Sequence, residues 1–257
     1  MNHRARATVL CLALLAGWPA PGAAQELVSL VPPGLYASRQ YVSSRAMTRP
    51  DNRYLRVRTT GILLHRVIAS EDGLAVESRY CSIEQEPLGK VRTSIGPGFV
   101  SAIPAWVSPL TADPDGGPAG VRIARHTVVL GAHLVDPEND RLPTEEDDPR
   151  VTDPDGDGNP GVTVDVSGFV SGQVYLVQRL VRGLRGTAGP GGRMTGTVEG
   201  AGDQVVIGAS SGILKTFTPD FEYNPDPKRN TFVWVPVPED ATCASVLAGR
   251  DSLFGED

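Results

Sequence analysis

The sequence predicts an all-β protein, an antiparallel up-and-down barrel or a β-sandwich, with one short C-terminal helix. Three observations predict it. Apolar residues recur at every second position in one run after another. The 29 glycines and 22 prolines are spread along the chain and punctuate those runs. Beyond the first 24 residues no window keeps a sustained helical period, apart from one near the C-terminus. Strands joined by Gly/Pro turns, with no helices between them, pack as a sandwich or close as a barrel.

Taken in order, Met1 to Ala24 has the make-up of a secretory signal peptide. Basic His3, Arg4 and Arg6 precede the apolar run Ala7 to Trp18, which Pro19, Pro21 and Gly22 break before the small pair Ala23-Ala24. Cleavage is expected before Gln25 or Glu26. An apolar core of about a dozen residues is too short to span a bilayer. Cys11 lies inside that run rather than at its end, which argues against a lipoprotein. The expectation is an exported chain, periplasmic or extracellular, in which residues 25–257 form a single β domain. The segment from Gln25 opens on the turn Val31-Pro32-Pro33-Gly34, followed by alternating Leu35, Ala37, Arg39 and Tyr41. The run 54–69 alternates and is rich in β-branched residues. After Glu71-Asp72-Gly73, Leu74, Val76, Ser78 and Tyr80 alternate again. Asp-Gly between two alternating runs is a strong hairpin signal, and it places Cys81 in the second strand.

Further strands are expected at 121–134, 161–170, 173–185, 194–200, 204–217 and 231–237, with Glu199 to Asp203 as a hairpin loop between two of them. Near the C-terminus Asp240 reads as an N-cap, 241–248 as a helix and Gly249 as its stop. Such sequential hairpins favour an up-and-down arrangement of lipocalin-like outline, a likeness of architecture alone. A membrane barrel is disfavoured by the frequent prolines, by an aromatic content of 6% and by the polar end Gly255-Glu256-Asp257.

Charge narrows the function classes. With Arg4 and Arg6 removed, the 24 basic residues become 22 against 30 acidic, a formal charge of −8. That balance argues against general nucleic-acid binding. Cys11 leaves with the signal, so Cys81 and Cys243 remain, and in an oxidising compartment they are expected to pair. No Cys-x-x-Cys motif points to redox chemistry.

The segment Asp136 to Asp157 holds ten acidic residues, only two basic ones, and four prolines. It reads as an exposed loop inserted at 136–161. Most of it is a solvated acidic face, but its end is specific: Asp153-Pro154-Asp155-Gly156-Asp157-Gly158-Asn159-Pro160-Gly161. Aspartates at alternate positions gather oxygen ligands around one centre, and glycine permits the bend. The stretch resembles the calcium loop of EF-hand, dockerin and thrombospondin type-3 proteins. That resemblance implies a calcium site with Asp153, Asp155 and Asp157 as side-chain ligands and Asn159 through its backbone carbonyl. The position of the EF-hand glutamate is Val164, so Asp165, Asp147, Asp148 or water would have to complete the shell. A strand-like run follows Pro160 instead of an exiting helix, so the expectation is a structural clamp on a sheet. Asp113-Pro114-Asp115-Gly116 echoes the motif with one carboxylate fewer and reads as a turn.

Catalytic patterns are weak. Gly208-Ala209-Ser210-Ser211-Gly212 matches the nucleophile elbow of hydrolases, but 213–217 reads as strand and no histidine lies beyond His133. His65, His126 and His133 have no cysteine or histidine cluster around them. Arg53, Arg56, Arg58 and Arg66 form a basic stripe, read as an exterior polar face. In a barrel, Leu55, Val57, Tyr175, Val177 and Trp234 are expected to face inward, where they would line an apolar cavity or, equally, fill a packed core. The expected role is a binding or interaction module of the cell envelope, taking an apolar small molecule or an envelope component. The rivals are a calcium-dependent extracellular hydrolase on a β scaffold and a structural envelope protein.

Overall fold

The computed structural model describes residues 21–48, 53–70, 73–168, 170–217 and 220–255. The first 20 residues of the expected signal segment lie outside them. The strands are β1 (Gly34–Thr48), β2 (Arg53–Ser70), β3 (Gly73–Gln85), β4 (Arg92–Ser94), β5 (Trp106–Ala112), β6 (Gly120–Leu130), β7 (Val162–Ser167), β8 (Gly172–Ala188), β9 (Met194–Ala209), β10 (Asp220–Tyr223) and β11 (Thr231–Pro236). The helices are α1 (Pro21–Leu30), α2 (Pro97–Ala102), α3 (Gly212–Phe217), α4 (Cys243–Ala248) and α5 (Arg250–Phe254).

Eight of the strands close into a ring in the order β1-β2-β3-β5-β6-β8-β9-β11, with β11 returning to β1. All pairings are antiparallel, and each ring strand lies beside its nearest ring neighbours in the chain. The ring is therefore an up-and-down meander. It closes because β8 pairs with β6 along one edge and with β9 along the other. Closure removes the open edges that a sheet of this size would otherwise present. Strand β7 pairs with the first part of β8 and carries β4, while β10 pairs with the end of β1 beyond β11.

Alternation sorts side chains between an apolar inside and a charged outside. Tyr36, Val42, Val67, Leu74, Val76, Leu110, Val121, Ile123, Leu184, Met194, Phe232 and Trp234 pack in one buried interior cluster. Leu27 and Val31, four residues apart on and just past α1, join that cluster. They meet it where β1, β3, β6 and β9 begin, so α1 closes that end of the ring. On the outside, α4 and α5 cover Leu35, Ala37, Ile62, Leu64 and Val235 with Val246 and Phe254. The loop between β6 and β7 folds back over the barrel wall, where Leu134 and Leu142 pack on Val177 and Ile207. Its anchor is Arg179, whose guanidinium donates to the carbonyls of Glu138 and Asp140 and pairs with Asp203 at 3.2 Å.

Several expectations are corrected. Residues 199–203 form no hairpin loop but continue one 16-residue strand, β9. The glycines there serve close approach to β8: a Cβ on Gly200 would lie 2.7 Å from Arg182 Nη1, and one on Gly202 would lie 2.7 Å from the Arg179 carbonyl. Residues 213–217 belong to helix α3, not to a strand. Residues 21–30 are helical, with Pro21 at the start and Pro32-Pro33 beyond the end, where proline is tolerated or stops a helix. The C-terminal helix is capped by Thr242 rather than Asp240, through a box in which Thr242 accepts from the Ser245 N–H. Gly249 separates it from a second short helix, α5. Of the expected cavity residues, Val57 and Trp234 are buried, Leu55 is exposed, and Tyr175 and Val177 pack under the outer loop.

Candidate functional site

The interior beyond the apolar cluster holds a cavity of about 130 Å³. Its wall alternates polar and apolar because inward positions on β1, β2, β3, β8 and β9 supply it in register. Gln40 and Val42 come from β1, Thr59 and Gly61 from β2, Tyr80, Ile83 and Gln85 from β3, and Gln178, Leu180 and Arg182 from β8. Ile95, Phe99 of α2, and Phe221 and Tyr223 of β10 close the remaining side. Two glycines create room here. A Cβ on Gly61 would come within 3.0 Å of the Tyr80 ring, and Gly200 leaves space for the Arg182 guanidinium to cross β9. Desolvation raises the pKa of the Tyr80 hydroxyl, opposed by the charge of Arg182, and desolvation also raises that of Tyr223.

A chain of hydrogen bonds runs from this wall into the core. Gln40 donates to Ser38 Oγ at 3.3 Å, and Ser38 Oγ is hydrogen-bonded to His65 Nε2 at 2.8 Å. The other ring nitrogen, Nδ1, is hydrogen-bonded to Ser78 Oγ at 2.8 Å, so the neutral ring donates through one nitrogen and accepts through the other. His65 also stacks on Trp234, 4.0 Å between ring centres. Burial drives its pKa down to about 3.

The aspartate loop lies outside the ring, before β7. Carboxylate oxygens of Asp153, Asp155 and Asp157 lie within 4.8 Å of one another. Asp153 accepts from the N–H groups of Gly156, Asp157 and Gly158, which curls the loop around it. Asp155 Oδ2 accepts from the Thr163 N–H, while its Oδ1 is buried with no hydrogen-bond donor. Desolvation first, then Asp157, raises the pKa of Asp155; the Thr163 side chain and Asn159 lower that of Asp157. Asn159 bonds Asp157 through both its backbone and its side-chain nitrogen. Of the remaining candidates, Asp165 accepts from Gln173 Nε2, Asp148 is held by Arg150, which lowers its pKa to about 2, and Asp147 is exposed. The echo at Asp113 and Asp115 is a turn in which both carboxylates grip Arg185.

Cys81 and Cys243 form a disulfide that ties α4 to β3. Cys81 sits where the register of β2 and β3 shifts by one residue. Ser210 Oγ accepts from the Gln173 N–H, and although α3 follows the Gly-x-Ser-x-Gly stretch, every histidine precedes it in the chain. His126 stacks on Trp106, and His133 is exposed. Arg56, Arg58 and Arg66 share the outer face of β2, with Arg58 paired to Glu86 and Arg66 to Glu239. Arg53 contributes its backbone to β2, and its side chain lies outside the described residues.

Sequence reasoning missed the cavity residues Gly61, Tyr80 and Arg182, and Gly200 beside Arg182. The available signal was a pair of mid-strand glycines opposite large side chains, which only the strand register exposes. No helix among the described residues is long and apolar enough to cross a membrane. No family model matches this chain, and no curated protein or solved structure is detectably similar to it.

Proposed function

We propose that this protein is a binding module of the cell envelope whose barrel takes a small ligand in the cavity beside Tyr80 and Arg182. The observation that carries this reading is the division of the barrel interior. One part is filled by a dry cluster and closed by α1, while the rest keeps a cavity lined by amides, hydroxyls and aromatic rings. Apolar surface with a few placed polar groups is the usual make-up of a small-molecule site. The wall carries one carboxylate, Asp203, and it is paired with Arg179, which favours binding over acid–base hydrolysis. Export is supported by the signal-like N-terminus and by the disulfide. An apolar inside and an arginine-bearing outside suit a barrel that stands in water.

The aspartate loop is proposed to hold a structural calcium ion. The buried, unbonded Oδ1 of Asp155 beside two further carboxylates supports it, since a hard cation satisfies such oxygens. Calcium should raise the unfolding temperature of the native chain, and Asp155→Asn should remove that increment while leaving the value in chelator little changed. Equal unfolding temperatures with and without calcium in the native chain would sink the calcium assignment. Native mass spectrometry of protein taken from its own envelope tests the binding role. An adduct of a small molecule supports it, and a bare chain that also fails to take up single-ring probes counts against it.

A further inference from the structure

The cavity wall holds a cation without a counter-charge. Arg182 projects inward from β8, between Leu180 and Leu184 of the same face. Its Nη1 donates to the carbonyls of Val181 at 2.9 Å and Ala201 at 3.0 Å. Its charge lowers the pKa of the nearby Tyr80 hydroxyl, and it stands 5.9 Å from the centre of the Tyr223 ring. A guanidinium has five N–H donors. The two carbonyls take both hydrogens of Nη1, and no hydrogen bond from Nε or Nη2 is present among the described residues. The nearby carboxylates are committed elsewhere: Glu199 pairs with Arg122 and Arg125, and Asp203 with Arg179. A half-buried cation with unused donors stabilises an anion that enters the same space.

We propose that the ligand of this cavity is a small organic carboxylate, its anionic head bonded by Arg182 and its body against Phe99, Ile83 and Leu180. This rests on the cavity-binding reading above and specifies its substrate class. Tyr80 adds to the recognition. Its hydroxyl lines the same cavity and carries a hydrogen that would donate to the second carboxylate oxygen. Size follows from volume: an apolar cavity of roughly 150 Å³ takes benzene, and the space here is about 130 Å³. The body is therefore a single ring or a short branched chain. Gly200 belongs to the same design, because any side chain there would push the guanidinium off the cavity.

Benzoate and benzyl alcohol, nearly equal in shape and different in charge, test the proposal by calorimetric titration of the full mature chain. Benzoate should bind at least tenfold more tightly. Arg182→Gln, checked for an unchanged circular dichroism spectrum, should abolish that preference, and Arg182→Lys should keep part of it. Equal affinities for the two probes in the native protein overturn the carboxylate assignment while leaving a neutral-ligand cavity standing. A preference that survives Arg182→Gln overturns the role of Arg182. Failure of both probes to bind removes the cavity reading itself. The native-protein comparison decides even where a variant does not fold.

Discussion

At His65 both ring nitrogens face serine hydroxyls inside the barrel and the ring lies on Trp234. Burial disfavours the charged ring, so the folded protein holds it neutral, with a pKa of about 3 against 6.5 in the unfolded chain. The unfolded chain therefore takes up a proton as pH falls through 6.5, and the folded chain does not until near 3. The stability associated with the neutral ring is whole above pH 6.5 and is lost as pH falls towards 3. Between pH 7.5 and 4.5 this amounts to about 2–3 kcal/mol. His65→Gln keeps a donor and an acceptor but cannot titrate. Its denaturation free energy should be lower at pH 7.5 and should fall less than that of the native protein by that amount on acidification to 4.5. Parallel losses in both proteins would mean that groups other than His65 set the acid sensitivity. The sequence singled out His65 only as a histidine without a cluster. Its partners lie on β1 and β3, 27 and 13 residues away, so no local pattern carries them.

At the level of elements, β9 is the instructive case. Glu199-Gly200-Ala201-Gly202-Asp203 has the composition of a turn, because glycine and aspartate are the residues that reversals need. In the fold the same residues pair continuously with β8, Gly200 against Arg182 and Gly202 against Leu180. The glycines are selected by what lies across the strand and not by the backbone angle they adopt. Gly200→Val should therefore overpack: its Cβ would fall 2.7 Å from Arg182 Nη1 and 2.9 Å from the Val181 carbonyl. A loss of about 1–3 kcal/mol in urea unfolding is expected. Benzoate affinity should fall with it. An unchanged midpoint would show that β9 is free to move away from β8 at this point. The C-terminal helix was legible because its stop at Gly249 and its alanine-rich body are local features, and only its cap moved, from Asp240 to Thr242. The N-terminal helix was not, since a turn at Pro32-Pro33 draws attention away from the residues before it.

Across the whole molecule, closure and the disulfide act together. The ring joins β8 to β9 and β11 to β1, so strands from both ends of the chain meet. Cys81 and Cys243, 162 residues apart, then fasten α4 to the outside of β3. Loop-closure entropy for so long a loop is worth about 5 kcal/mol. Replacing both cysteines with alanine should lower the unfolding free energy by up to that amount. It should also raise amide exchange in α4 and α5, which cover the wall of β1, β2 and β11. A loss below about 1 kcal/mol would mean that the reduced chain keeps these ends together without the bond. The meander explains why most of the architecture was legible. Each ring strand pairs with the next one along the chain, and β2 and β3 pair from Ser70 opposite Gly73, with Glu71 and Asp72 of the expected turn outside the described residues.

The sequence by itself determined the strand class, the hairpin of β2 and β3, the identity of the disulfide partners and the crowding of Asp153, Asp155 and Asp157. Each of these follows from alternation, from composition or from spacing within a few residues. Only the tertiary structure decided that the sheet closes as a barrel instead of packing as a sandwich. It alone decided that Val177 faces the outer loop while Arg182 faces the cavity, and that Gly61 and Gly200 make room for large neighbours. The reason is physical. A side chain's face depends on the parity of its strand within the closed ring, and a mid-strand glycine carries the same local signal as one in a turn. What stands opposite each of them is set by pairings between strands, and those exist only once the ring has formed.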